Sequence, residues 1–190
     1  MEKSESLLIT LLEITNQNFL TKRYSIPEKL EVVLKQKRFE EIQKSIEEKF
    51  VKNLEKLDLS SKESFLETFP NLWKKKRKFE EHVRKRIEMG HISLENSELF
   101  YAKKIIEVLA TAEDIYVEFG EAEHKVDYVK SKDWIVILGK KGKIETAYKL
   151  EINLQTLLES HKIKYEIQRG YFNEEFRKAI KSLWNRVKLF

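Results

Sequence analysis

The chain has 190 residues, 41% of them apolar, including eleven Phe and three Trp, which suffices for one domain with a full core or a small domain plus a helical extension. It contains no cysteine, so disulfides, thiolate nucleophiles and cysteine-based zinc sites are excluded. The net charge of +5 is concentrated: eight basic and three acidic residues between Asn71 and Gly90 account for all of it, so an electrostatic partner is to be sought there.

Residues 5–20 carry Leu8, Leu11, Leu12 and Ile14 at helical spacing, which predicts a short helix. Ser25 before Ile26-Pro27 predicts the start of another, with Pro in the first turn. From there Leu30, Val33, Leu34, Phe39, Ile42, Ile46, Phe50, Leu54 and Leu57 recur in steps of three and four. That is a long amphipathic helix with room for one break. Ser60 and Glu63 predict a capping box for a brief helix over Phe65 and Leu66, ended by Pro70. A further helix is expected over 72–89, with Phe79, Val83 and Ile87 on one stripe and Gly90 as its left-handed cap. Asn96 or Ser97 caps the next, which turns Leu99, Ile106 and Leu109 inward.

After Ala112 the pattern changes to short runs rich in Val, Ile and Tyr, at 114–119, 125–130, 134–138 and 143–150. Gly139-Lys140-Lys141-Gly142 suits a hairpin, and short connections favour antiparallel pairing. Residues 153–161 read as helix and 164–168 as a possible fifth strand. Asn173 caps a terminal amphipathic helix bearing Phe176, Ile180, Leu183, Trp184 and Val187. The organisation expected is a helical N-terminal region, 1–70, and an α+β region, 71–190.

No apolar run approaches a membrane span, and the acidic leader after Met1 (Glu2, Glu5, Glu13) makes a poor signal peptide. A cytoplasmic protein without a membrane partner is expected. The chemistry-bearing feature is the basic helix itself. His82 and Arg86 are four residues apart and share a face. A neighbouring cation lowers the histidine's pKa and favours a neutral, proton-accepting ring. Cleaving RNA by its own 2′-hydroxyl needs only a base, an acid and a fixed cation, and His82 with Arg86 supplies two of these. No metal and no other cofactor is required. Against this, a lone histidine in a basic helix is usually a surface residue, and Thr146 is simply a good strand residue.

The order of the pieces resembles the barnase–EndoU–colicin–RelE-like nuclease superfamily, in its phage- and mobile-element-associated branches. The resemblance rests on His–x₃–Arg–Ile from His82, on Asp114-Ile115-Tyr116, and on Gly142-Lys143-Ile144-Glu145-Thr146-Ala147-Tyr148, and it covers about 79–150. It implies two helices packed on a four-stranded antiparallel sheet, with a C-terminal helix outside that core. It also implies a metal-independent endoribonuclease acting on tRNA or other structured RNA and leaving a 2′,3′-cyclic phosphate. By that match His82 is general base or acid, Arg86 binds phosphate, Thr146 orients it, and Tyr148 stacks a base or donates a proton. Lys75, Arg77, Lys78, Arg84, Lys85 and Lys143 are the expected RNA contacts. The second acid or base stays open between His91 and His124.

A cell making such an enzyme, a toxin for example, needs an inhibitor, for which the N-terminal or C-terminal helices offer a docking surface. Rival readings are a nucleic-acid-binding module that uses the basic helix 74–86 without catalysis, a metal-dependent nuclease drawing on Asp127, Asp133, Glu145 or Glu151, and an adaptor built on the long helices.

Overall fold

The computed structural model describes residues 28–190 apart from Lys132. The helix expected over 5–20 and the Ser25–Pro27 start lie outside the described residues. The chain divides after Gln36 into two compact units, and every candidate site residue belongs to the second, Lys37–Phe190.

Six α-helices and five strands are described. Helix α1 (Glu28–Leu54) turns Phe39, Ile46 and Phe50 into the core at the spacing its sequence predicts. Helix α2 (Lys62–Thr68) is capped by Ser61, whose side chain accepts from the Ser64 amide, and not by Ser60. Ser60 is occupied differently, its amide donating to the Asp58 carboxylate at 2.9 Å. The α-helix stops at Thr68, ahead of Pro70 as expected. Pro70 sits in the first turn of a 3₁₀ segment, Phe69–Leu72, where its missing N–H is harmless.

Helix α3 (Lys76–Glu88) begins later than its pattern suggests, because Trp73 and Lys75 are extended. Trp73 bridges Ile144 in parallel, and the Lys74 amide donates to the Ile144 carbonyl at 2.9 Å. Helix α4 (Ser97–Thr111) follows a left-handed Asn96, and nearly all of its inner residues are buried.

The strands are β1 (Asp114–Phe119), β2 (His124–Lys130), β3 (Trp134–Gly139) and β4 (Lys143–Lys149), joined by short turns as a meander. Helix α5 (Leu154–His161) then leads to β5 (Glu166–Arg169), which pairs with β1, and α6 (Glu174–Val187) closes the chain. The sheet order is β4-β3-β2-β1-β5 with every neighbouring pair antiparallel. The α+β class holds, and the four-stranded sheet gains a fifth strand at the β1 edge.

One face of the sheet carries Val126, Tyr128, Val136, Leu138, Ile144 and Ala147 into the large core shared with α1, α3, α4 and α6. The other presents Val129, Ile135 and Ile137 to Leu154, Leu157 and Leu158 of α5, with Tyr116 and Tyr148 at its margin. Eight residues are too few for a helix to persist alone in water, so α5 depends on this burial, roughly 1.5–3 kcal/mol for each leucine. No helix of the described residues is long and apolar enough to cross a membrane.

Candidate active site

Strand β4 is an edge strand, and α3 runs along its free side. The Tyr101 hydroxyl donates to the Ala147 carbonyl at 2.5 Å, and the His82 ring lies within reach of the same carbonyl. His82 is half-buried and tilted against Trp73, with ring centres 4.9 Å apart. Its Nδ1 is enclosed without a hydrogen-bond partner. Burial first, and the nearby Arg86 and Lys78 charges second, push its pKa down to about 4. The ring is therefore neutral at pH 7, able to accept a proton and unable to supply one.

One turn on, Arg86 flanks the stripe of Phe79 and Val83 but is itself only 5% exposed. One of its terminal nitrogens lies 3.4 Å from the Met89 sulfur and 3.4 Å from His91 Nδ1. Its Nε is enclosed and unpartnered. Among the described residues no carboxylate lies within 4.0 Å of it. His91 Nε2 lies 3.4 Å from a Glu151 carboxylate oxygen, so the tautomer with its proton on Nε2 can accept from Arg86 and donate to Glu151.

The guanidinium carbon stands 5.8 Å from the Tyr148 ring centre. Burial, then the Asp127 and Glu118 charges, push the Tyr148 hydroxyl up to about 12, so it keeps its proton at neutral pH. Two titratable groups on adjacent elements are thus driven apart, one empty and one loaded, which is how a site separates base from acid.

Thr146 pairs with Ile137 and Ile144 with Leu138, a shift that leaves Glu145 as the extra residue of a bulge. Strict alternation would put Thr146 on the face of Ile144. The bulge instead turns Ile144 into the large core and sets Thr146 beside Tyr148 on the opposite face. Glu145 is turned to Lys74, which it pairs at 2.9 Å.

The basic residues are divided in their engagements. Arg77 and Lys78 both pair with Glu81, at 3.3 and 2.6 Å. Lys143 donates to the Asn71 carbonyl at 2.5 Å and lines a separate cavity with Lys74, His124 and Glu145. Lys75, Arg84 and Lys85 are exposed and make no ion pair among the described residues. His91 is brought against Arg86, whereas His124 stacks on Phe119 at 4.7 Å, away from α3.

A second polar group lies on the α5 face, and no ligand spacing along the chain marks it. Glu118 and Asp127 are fully buried there, and His161 Nδ1 contacts Glu118 Oε1. Of the acids weighed for metal binding, Asp127 belongs to this group. Asp133 pairs with Lys149 and Glu151 with His91, both largely exposed.

Residues 63–188 match the family model described as uncharacterised protein aq_aa01, about two thirds of the chain, and the chain belongs to that family. No curated protein and no solved structure matches it.

Proposed function

We propose that this member of the aq_aa01 family is a metal-independent endoribonuclease whose site lies between α3 and β4. The observation that carries the reading is Arg86, a buried guanidinium without a counter-ion among the described residues, flanked by a neutral histidine and a protonated tyrosine. An uncompensated buried cation is costly, and a phosphate is the anion whose geometry a guanidinium fits with two parallel hydrogen bonds.

In this reading Arg86 holds the phosphate and stabilises the charge that builds on it. His82 takes the proton of the 2′-hydroxyl as that oxygen attacks phosphorus. The bond from phosphorus to the 5′-oxygen breaks, and Tyr148 delivers its proton to the leaving oxygen. The products are a 2′,3′-cyclic phosphate and a 5′-hydroxyl end, and solvent returns the proton from His82 to Tyr148. Thr146, on the Tyr148 side of β4, orients the phosphate. His91 is a positioning residue, holding the guanidinium on the Glu151 side.

RNA, tRNA or another structured form, is the substrate. Its approach is supported by Lys75, Arg84 and Lys85, which are exposed and pair with no acid among the described residues. A module that bound nucleic acid by charge alone would have little reason to pair Arg77, Lys78 and Lys74 internally, so that reading is less favoured. A toxin role with a protein inhibitor on the N-terminal or C-terminal helices follows from the activity.

The test is incubation of the purified chain with total tRNA in EDTA beside His82→Ala and Arg86→Lys. Discrete fragments ending in cyclic phosphate, lost in both variants, are expected. Intact RNA with altered mobility for all three proteins would leave a binding module in place of the enzyme.

A further inference from the structure

On the α5 face the sheet register makes Glu118 and Asp127 diagonal neighbours, since Glu118 opposes Lys125 and Tyr116 opposes Asp127. Both are 0% exposed. His161, the last residue of α5, reaches down to them and contacts Glu118 Oε1. One ligand atom from each of the three lies within 4.8 Å of the others, the spread expected of donors around a single ion.

The partners that would make this group self-sufficient are missing among the described residues. Both Asp127 oxygens and Glu118 Oε2 are enclosed with no hydrogen-bond donor. Lys125, on the same face, acts on the pair through its charge but makes its contacts elsewhere, with the Tyr165 hydroxyl at 3.0 Å and Glu123 at 3.8 Å. Two buried carboxylates in contact repel strongly unless something positive stands between them, and either a proton or a metal ion can do so. A proton on His161 Nδ1 serves only its contact with Glu118, whereas a metal ion also engages the Asp127 oxygens that no donor reaches.

We propose that Glu118, Asp127 and His161 form a divalent-cation site on the α5 face of the sheet, selective for a transition ion such as Zn²⁺ or Mn²⁺. One imidazole with two carboxylates favours these over Mg²⁺ or Ca²⁺, which prefer oxygen throughout. The His161 side chain is 26% exposed and marks the way in. Because the ligands come from β1, β2 and the end of α5, the ion ties that short helix to the sheet. None of the three residues touches the reacting atoms of the proposed cleavage, although the Asp127 and Glu118 charges help to keep the proton on Tyr148.

The test uses the full untagged chain stripped with chelator, titrated with ZnCl₂, MnCl₂, MgCl₂ and CaCl₂ by calorimetry and by thermal unfolding. One Zn²⁺ or Mn²⁺ per chain and a raised unfolding midpoint are expected, with Mg²⁺ and Ca²⁺ inert. Asp127→Asn and His161→Gln should each weaken binding about tenfold or more. Asp127→Asn should also raise the midpoint of the stripped protein, because it removes the buried repulsion. The stripped wild-type midpoint anchors that comparison should either variant fold poorly. Failure to bind either transition ion, or equal binding by both variants, overturns the site and leaves a proton shared by the carboxyl pair. Cleavage of tRNA in EDTA is read separately. If cleavage requires Mn²⁺ and is lost in Asp127→Asn, the metal site stands and the metal-free mechanism falls.

Discussion

The guanidinium carbon of Arg86 lies 5.8 Å from the centre of the Tyr148 ring, and no acidic residue among those described closes an ion pair with it. An aromatic face returns up to about 2 kcal/mol to a desolvated cation. Removing that charge from water costs several kcal/mol, so the balance is left for an incoming anion. Arg86→Lys keeps the charge and loses the planar fork. It should lower the single-turnover cleavage rate by about 10²–10³ while shifting the unfolding midpoint little. A variant that cleaves at the wild-type rate would remove the guanidinium from the chemistry.

His82 gives a pH dependence whose sign is fixed by its depressed pKa of about 4. The cleavage rate should be flat through neutrality and fall only as pH drops through that value. Stability follows the same direction. Below the ordinary histidine value of about 6.5 the unfolded chain takes a proton that the folded ring refuses, so stability declines as pH falls from there through about 4. His82→Gln should abolish cleavage and flatten the acid limb of a urea-midpoint profile. A rate profile that breaks near 6.5 would put the ring in solvent and withdraw this account.

Much of this arrangement was legible along the chain, because α3, α4 and the β1–β4 meander are local in sequence and strongly periodic. The phasing of α3 correctly set His82 and Arg86 beside the Phe79–Val83 stripe, but it could not show that Arg86 is buried. That follows from β4 lying alongside, a contact between residues some sixty positions apart. Thr146 shows a different limit. Alternation by two assigns its face only if the strand is regular, and the extra residue at Glu145 inverts the relation to Ile144. The Glu118, Asp127 and His161 group was invisible because its members arrive from three elements, and β5 and α5 are placed by packing on a sheet formed upstream.

On the proposed ribonuclease reading, the split among the basic residues predicts which charges would contact RNA. Among the described residues Arg84 and Lys85 carry no ion-pair partner, whereas Arg77 shares Glu81 with Lys78. Reversing both Arg84 and Lys85 to Glu should weaken RNA binding and reduce the slope of log affinity against log salt by about 1–2, since each phosphate contact contributes roughly 0.7–0.9. Arg77→Ala should change the slope by much less. Fluorescence anisotropy across a salt series checks both, and equal slopes for all three proteins would move the RNA path away from α3.

Gly142 connects the β3–β4 hairpin to α1 so closely that no other residue fits. Its φ is +60°, in the left-handed region. An added Cβ would stand 2.4 Å from the Phe50 amide nitrogen and 2.5 Å from the Lys49 carbonyl carbon, backbone atoms of a helix that cannot yield. The Gly142 carbonyl also accepts from Asn53 Nδ2 at 2.8 Å, so the hairpin is pinned from two sides. Gly142→Ala should therefore cost about 2–4 kcal/mol, the sum of a left-handed alanine and a forced backbone separation. Gly90 supplies the control, with φ +69° and nothing within 4 Å of the added carbon. Gly90→Ala should cost only the conformational part, roughly 1–2 kcal/mol. Urea denaturation of both variants separates the two contributions. Equal losses would mean that α1 is not held against the hairpin as tightly as these distances require. Because β4 carries Thr146 and Tyr148, a displaced hairpin in Gly142→Ala should also slow cleavage, whereas Gly90→Ala keeps β4 in place and isolates any effect of the α3 end.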